Sequence, residues 1–389
     1  MNIFLTKIKG DKLIWAVVFI LTIVSFLAVY SSTGTLAYKY HGGNTEYYML
    51  KHAIILFLGL MLMYLAHLVK YTYYSRIFQI ILYLAVPLLL VTLFFGQTIN
   101  EANRVLYIPV LGLTFQSSDL AKITLIIYLA RMLSKKQDNI KDFKSAFVPL
   151  LIPVLIVCGL ILPANFSTAA ILFTISITLM FIGRVKKRYI FGMLGISAAI
   201  LGIGLLILHF MPVENQGRFG TWKNRVLAYT SGEGDNYQIE QSKIAIATGG
   251  LLGKMPGNST QRNFLPHPYS DFIFAIIVEE YGLAGGIFII FLYLFLFYRV
   301  VIIVVRAPGT FGSFLVAGVG FALVFQAMIN MGVAVDMLPV TGQPLPLVSM
   351  GGTSIWFTSL SLGIILSVSK ELAKSEKESE NTETEIAHA

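Results

Sequence analysis

Leu13-Ile-Trp-Ala-Val-Val-Phe-Ile-Leu-Thr-Ile-Val-Ser-Phe-Leu-Ala-Val-Tyr30 is a run of eighteen residues without a charge. A helix rises about 1.5 Å per residue, so such a run covers most of a hydrocarbon core roughly 30 Å thick. Nine more apolar runs follow, near 52–69, 77–95, 117–133, 147–163, 167–183, 189–211, 271–298, 311–331 and 351–369. Composition agrees, with 56% hydrophobic and 13% charged residues and a mean hydropathy of +0.75. A soluble fold lacks the polar surface to cover that much apolar material. The pattern predicts an all-α polytopic membrane protein of about ten transmembrane helices. The first run is too long for a cleaved leader and lacks a small-residue cleavage site, so it reads as a signal anchor.

An even number of spans puts both termini on one side. Nineteen of the 29 Lys and Arg fall in segments on that side, against nine on the other. Both termini are therefore read as cytoplasmic. The +9 net charge belongs to membrane loops, and nothing points to nucleic acid. The longest connection, 212–270, lies outside between the seventh and eighth spans. Its Ile239–Leu252 stretch has helical spacing and is expected to fold onto the membrane surface. Residues 1–370 read as one transmembrane domain. The last twenty, Lys370 to Ala389, hold six acids and three lysines, and 371–389 reads as a solvated tail without fold.

Ionisable groups at membrane depth are costly and therefore informative. Asp119 and Lys122 share one face of the fourth span, as a neutralising pair or as part of a polar cavity. Asp271 opens the eighth run in Pro266-His267-Pro268-Tyr269-Ser270-Asp271-Phe272-Ile273-Phe274. On a continuous helix Glu279 and Glu280 would lie about 80° and 180° around from it and roughly 12 Å deeper. Three more polar stretches lie on the outer side. They are Glu101 to Asp119, Tyr237 to Gly253, and the Pro- and Gly-broken text from Leu338 to Ser354. Broken backbone at membrane depth is tolerated only where protein buries it or where it lines a cavity. All are expected to converge on one outward-facing cavity. The six histidines show no zinc spacing, there is no phosphate-binding glycine loop, and the single cysteine, Cys158, lies in an apolar run.

These ordered blocks resemble the SEDS family (shape, elongation, division and sporulation), the FtsW/RodA/SpoVE group. The resemblance rests on Leu265-Pro266, Ser270 to Ala275 with Glu279-Glu280, Leu338 to Ser354, Asn103-Arg104, and Gln116-Ser117-Ser118-Asp119-Leu120-Ala121-Lys122. The text from Pro339 to Ser354 is more like the cell-division branch (FtsW) than the elongation branch. The resemblance implies a peptidoglycan glycosyltransferase of the bacterial cytoplasmic (inner) membrane, acting at the septum. Such an enzyme polymerises lipid II into β-1,4 glycan strands and releases undecaprenyl diphosphate. Asp271 is then the general base for the acceptor's 4-hydroxyl. Arg104 and Lys122 are candidates for the diphosphate, and Asp119 would orient Lys122. Gln116, Gln238, Ser242, Thr341 and Ser349 are further substrate-binding candidates, with Glu279 and Glu280 in support. Arg218 and Arg225 are weaker candidates, since loop arginines commonly meet lipid headgroups. The implied partners are lipid II, a class B penicillin-binding protein transpeptidase, other divisome proteins and membrane lipid. No metal-ligand cluster is legible, although a divalent cation (Mg or Mn) would suit carboxylates near a diphosphate.

The chain departs from the family pattern at five positions. Asn165 stands where an acid is common, Ser117 replaces a proline, Asp119 replaces a glutamate, and His267 and Tyr269 replace Glu and His. Two other functions compete, a lipid II flippase and a non-catalytic divisome scaffold.

Overall fold

The computed structural model describes residues 9–99, 102–108, 113–210 and 237–388. Within them lie α1 (Lys12–Ser32), α2 (Gly34–His41), α3 (Thr45–Leu68), α4 (Tyr71–Phe95), α5 (Ser117–Lys135), α6 (Val148–Ile161), α7 (Phe166–Ile182), α8 (Lys187–Phe210), α9 (Tyr237–Gly249), α10 (Ile273–Arg306), α11 (Thr310–Ala334) and α12 (Gly352–His388). All ten apolar runs are helical, and α2 and α9 are additions between them. Eight helical stretches are long and apolar enough to cross a membrane. The other two fall short for plain reasons: α7 has 17 residues, and α5 carries Asp119, Lys122, Arg131 and Lys135. The chain is a polytopic helical membrane protein. α11 and α12 are mostly buried, whereas α8 is almost wholly exposed.

The start of α1 and Lys370 of α12 lie at one end of the bundle. Asp11 caps α1 by accepting from Leu13 N (2.9 Å) and Ile14 N (3.2 Å), and it takes the guanidinium of Arg299, about two turns before the end of α10. Gly10 lies against Leu366 and Lys370 of α12. Lys370 in turn donates to the last carbonyls of α3, Leu68 O at 3.0 Å and His67 O at 3.3 Å, where a helix end leaves acceptors unpaired. Beyond Lys370 the helix continues to His388, which corrects the reading of this tail as unfolded. A span that is already helical supplies the nucleus, and Glu, Lys and Ala propagate it readily. Glu376 also meets Arg306 at 3.8 Å.

Between α4 and α5 the chain forms β1 (Gln97–Ile99), β2 (Ala102–Ile108) and β3 (Leu113–Phe115), an antiparallel sheet in the order β1-β2-β3. Leu106 pairs with Phe115 and Ile108 with Leu113. Of the long outer connection, 211–236 lie outside the described residues, and Arg218 and Arg225 with them. α9 packs on α10 and α11: Ser242 Oγ donates to Ala334 O (2.7 Å), and Lys243 meets Asp336 (2.8 Å). Asp336 raises the Lys243 ammonium above its ordinary pKa.

α10 is broken at Gly282, where φ is 70° and ψ is −174°. The turn after α9 fills the break. Leu283 N donates to Gly250 O (2.9 Å), Ala284 N to Leu251 O (3.3 Å) and Lys254 N to Glu279 O (3.0 Å). A Cβ at Gly282 would collide with Leu251 O and Gly253 N, in a backbone region that side chains rarely adopt. Gly282→Ala should therefore cost at least about 2 kcal/mol, read as a lower melting temperature in detergent. Gly195→Ala, facing open space on α8, should leave it unchanged or slightly higher.

Candidate active site

In the connection from α11 to α12, residues 343–349 are irregular backbone mostly buried among the spans. With no lipid or water to serve them, its carbonyls must find protein donors. Each of four does so from a different side chain. Asn330 Nδ2 donates to Gln343 O (2.7 Å) and Gln326 Nε2 to Pro344 O (2.9 Å), both from α11. Tyr293 Oη of α10 donates to Pro346 O (2.5 Å), and Ser25 Oγ of α1 to Val348 O (2.9 Å). Gln343 itself reaches Thr168 Oγ1 on α7 (2.8 Å).

This segment positions the turn that carries Asp271. Ser349 Oγ donates to Ser270 O (2.6 Å), Met350 N to Tyr269 O (2.8 Å), and Asn330 Nδ2 to Asp271 O (2.8 Å). Backbone carbonyls on three successive residues are thus fixed, with Asp271 two residues ahead of α10 and not on it. Ser270 Oγ donates to its Oδ1 (2.9 Å). Gly342, at φ 63°, lies beside Oδ2, so close that a Cβ there would stand 3.4 Å away. Burial, then the Asp271 charge, push the neighbouring Tyr269 phenol above its ordinary pKa and keep its proton on.

Asp271 faces a cavity of about 200 Å³. Its other polar walls are Gln116 and Asp119 from the start of α5, Thr114, Asn165, His267, Ser270, Gln343, Thr353 and Ser354. Gln116 N donates to Thr353 Oγ1 (3.2 Å), joining α5 to α12. Asp119 is 6% exposed, and its Oδ2 has no hydrogen-bond partner among the described residues. Its Oδ1 is 3.4 Å from Lys122 Nζ, which donates to Gln326 Oε1 at 2.9 Å. The ammonium points into a smaller adjoining recess that Ser354, Thr358 and Ser361 also line. The two charges lie close enough to offset each other, and the Asp119 carboxylate also lines the cavity.

The structure brings Gln116, Asp119 and Asp271 together, with Lys122 just behind. Arg104 is on β2, whose next residue Val105 lines the cavity, but its side chain lies outside the described residues. The other sequence-based candidates among the described residues lie off the cavity wall. Ser242 is spent on Ala334 O, and neither it nor Gln238 lines the cavity, because α9 turns its buried face to α10 and α11. Thr341 does not line it either, although its neighbour Gly342 does. Ser349 is a tie between backbones, not part of the cavity wall.

Glu279 and Glu280 face away from the cavity, towards the loop before Asp271. Glu279 accepts from Lys254 Nζ (2.6 Å), Ser259 Oγ, Thr260 Oγ1 (2.8 Å), Thr260 N (3.1 Å) and Gln261 N (3.2 Å). Glu280 accepts from Ser31 Oγ and Ser259 N (3.4 Å). A buried carboxylate so supplied is an organiser of the 254–262 loop. Gln326 and Asn330 were missed from sequence. Their signal was present, two amides four residues apart on an apolar helix, which share a face. No group of three His, Cys, Asp or Glu that could hold a metal ion occurs among the described residues.

The FtsW/RodA/SpoVE family model, described as "Cell cycle protein", matches residues 11–374. The "Probable peptidoglycan glycosyltransferase FtsW" of Geobacter metallireducens is 33% identical, covering 94% of this chain and 96% of its own. The "Stage V sporulation protein E" of Bacillus subtilis is 29% identical, covering 94% and 98%. The fold is similar to a chain of a solved "peptidoglycan synthase complex", with a TM-score of 0.66 at 22% identity over 93% of this chain and 98% of that one. It is also similar to the "Rod shape determining protein RodA" of Thermus thermophilus, with a TM-score of 0.64 at 22% identity over 93% and 97%.

Removing Asn330 takes the amide donor away from Gln343 O and Asp271 O. Asn330→Leu should destabilise the protein by about 2–4 kcal/mol, measured by denaturant unfolding in detergent. Met328→Leu, on an exposed face of the same helix, should not.

Proposed function

Because the chain belongs to the FtsW/RodA/SpoVE family of cell cycle proteins, we propose that it is a peptidoglycan glycosyltransferase that polymerises lipid II. The observation that carries this reading is the Asp271 carboxylate, facing a polar cavity and held by backbone ties on three successive residues.

A sugar hydroxyl is a weak nucleophile until its proton has somewhere to go. Asp271 takes the proton of the acceptor's 4-hydroxyl as its oxygen bonds to the donor's anomeric carbon. The bond from that carbon to phosphate breaks, and its electron pair leaves with undecaprenyl diphosphate. No nucleotide is consumed, since the lipid diphosphate bond supplies the driving force. Attack on the face opposite the leaving group gives the β-1,4 linkage. The fixed carbonyls around Asp271 hold the base in place before substrate arrives, which is where orientation lowers a barrier. Charge that develops on the diphosphate needs cations close by. Lys122 stands behind the cavity wall with Gln326 and Asp119 as partners, and Arg104 is on the strand beside it. Gln116, Asn165 and Gln343 offer amides that suit sugar hydroxyls.

The same reading places the enzyme in the bacterial cytoplasmic membrane, with the cavity on the outer side and both termini inside. It works at the division septum beside a class B penicillin-binding protein that cross-links the new strand. The 33% identity to a protein called FtsW supports the division branch.

The test is polymerisation of purified lipid II in detergent by the full chain with its transpeptidase partner, the partner's own chemistry blocked. Wild type should form glycan ladders, and Asp271→Asn should slow them at least about 100-fold while still binding lipid II. Equal ladders would remove Asp271 as the base. Transfer of lipid II across vesicles by a wild type that forms no glycan would favour a flippase.

A further inference from the structure

The last of the four pinned carbonyls, Val348 O, has the longest chain of supports. Ser25 Oγ donates to it at 2.9 Å, and the same hydroxyl lies 2.9 Å from His52 Nε2 on α3. Ser25 is fully buried and His52 is 1% exposed. A hydroxyl has one proton to give. With that proton on Val348 O, Ser25 Oγ can only accept from the imidazole, so His52 donates through Nε2–H. Nδ1 is then the bare nitrogen, and it is buried with no hydrogen-bond partner among the described residues. The geometry assigns one tautomer of a neutral ring.

Neither side chain lines the cavity. Their reach is through the backbone. Leu347, just before Val348, is held at φ 64°, a left-handed conformation that a branched side chain keeps only when its neighbours impose it. The residues just after Val348 make the two ties to the Asp271 turn, Ser349 Oγ to Ser270 O and Met350 N to Tyr269 O. Freeing Val348 O would let the turn at Leu347 relax and carry both ties with it. We propose that Ser25 and His52 are positioning residues for Asp271, acting through residues 348–350; this rests on the reading of Asp271 as the base.

The variants are Ser25→Ala, His52→Leu and His52→Gln, in the full chain with its blocked transpeptidase partner. Gln keeps an N–H donor at a similar reach. For lipid II polymerisation, Ser25→Ala and His52→Leu should lower kcat about tenfold or more with KM within about twofold, and His52→Gln should stay within about threefold of wild type. Unchanged kcat in Ser25→Ala, or His52→Gln no better than His52→Leu, would overturn the proposal.

Hydrogen–deuterium exchange by mass spectrometry decides the matter independently of activity. In Ser25→Ala and His52→Leu, peptides covering 267–272 and 345–351 should exchange faster, with α1 and α3 unchanged and His52→Gln like wild type. Faster exchange confined to α1 and α3 would reduce the pair to a staple between two helices and overturn the proposal. Asp271→Asn, inactive but with wild-type exchange, separates the two claims. If it retained activity the base assignment would fail, while the exchange arm would still judge the positioning.

Discussion

Backbone carbonyls that leave helical order inside a membrane have to be bonded by protein, and the segment from Gln343 to Val348 meets that demand with side chains from three helices. Asn330, Gln326, Tyr293 and Ser25 each cap one carbonyl. In a hydrocarbon setting each uncapped group would cost several kcal/mol, so the four donors are requirements of the fold and not ornaments on it. Four of the polar residues that interrupt otherwise apolar spans are explained by this one constraint.

The same segment is what makes Asp271 a fixed group. Ser349, Met350 and Asn330 hold three successive carbonyls of the turn before α10. On the far side of that turn Glu279 gathers the 254–262 loop, and Gly282 admits the turn after α9 against a broken α10. Asp271 is therefore clamped by the α11–α12 connection, and the loop that leads into its turn is organised around a buried carboxylate. A carboxylate held in this way needs no reorganisation when a hydroxyl is brought to it.

Sequence made the spans legible because length and hydropathy are local properties, and ten apolar runs became ten helices. It also picked out Asp271, Gln116 and Asp119, each of which lines the cavity. It failed where meaning depended on a distant partner. Ser242 looked like a binding residue until Ala334 O appeared 2.7 Å from it, and Glu279 looked like a support for the site until its five donors from the 254–262 loop were in view. The helical continuation past Lys370 was misread because composition was weighed without the span that nucleates it. Gln326 and Asn330 were legible in principle, since two amides at helical spacing in an apolar run have to face something polar. The Ser25–His52 pair was not, because 27 residues separate its members and Val348 lies 323 residues from Ser25.

The central claim is that the Asp271 carboxylate takes the acceptor's proton, and the most direct measurement is a structure of the chain with a short glycan product or an unreactive acceptor in the cavity. We expect the acceptor's 4-oxygen within about 2.6–3.2 Å of an Asp271 carboxylate oxygen, with the Ser270, Tyr269 and Asp271 carbonyl ties intact. A 4-oxygen lying instead against Asp119, with Asp271 beyond the reach of a hydrogen bond or a single bridging water, would contradict the account.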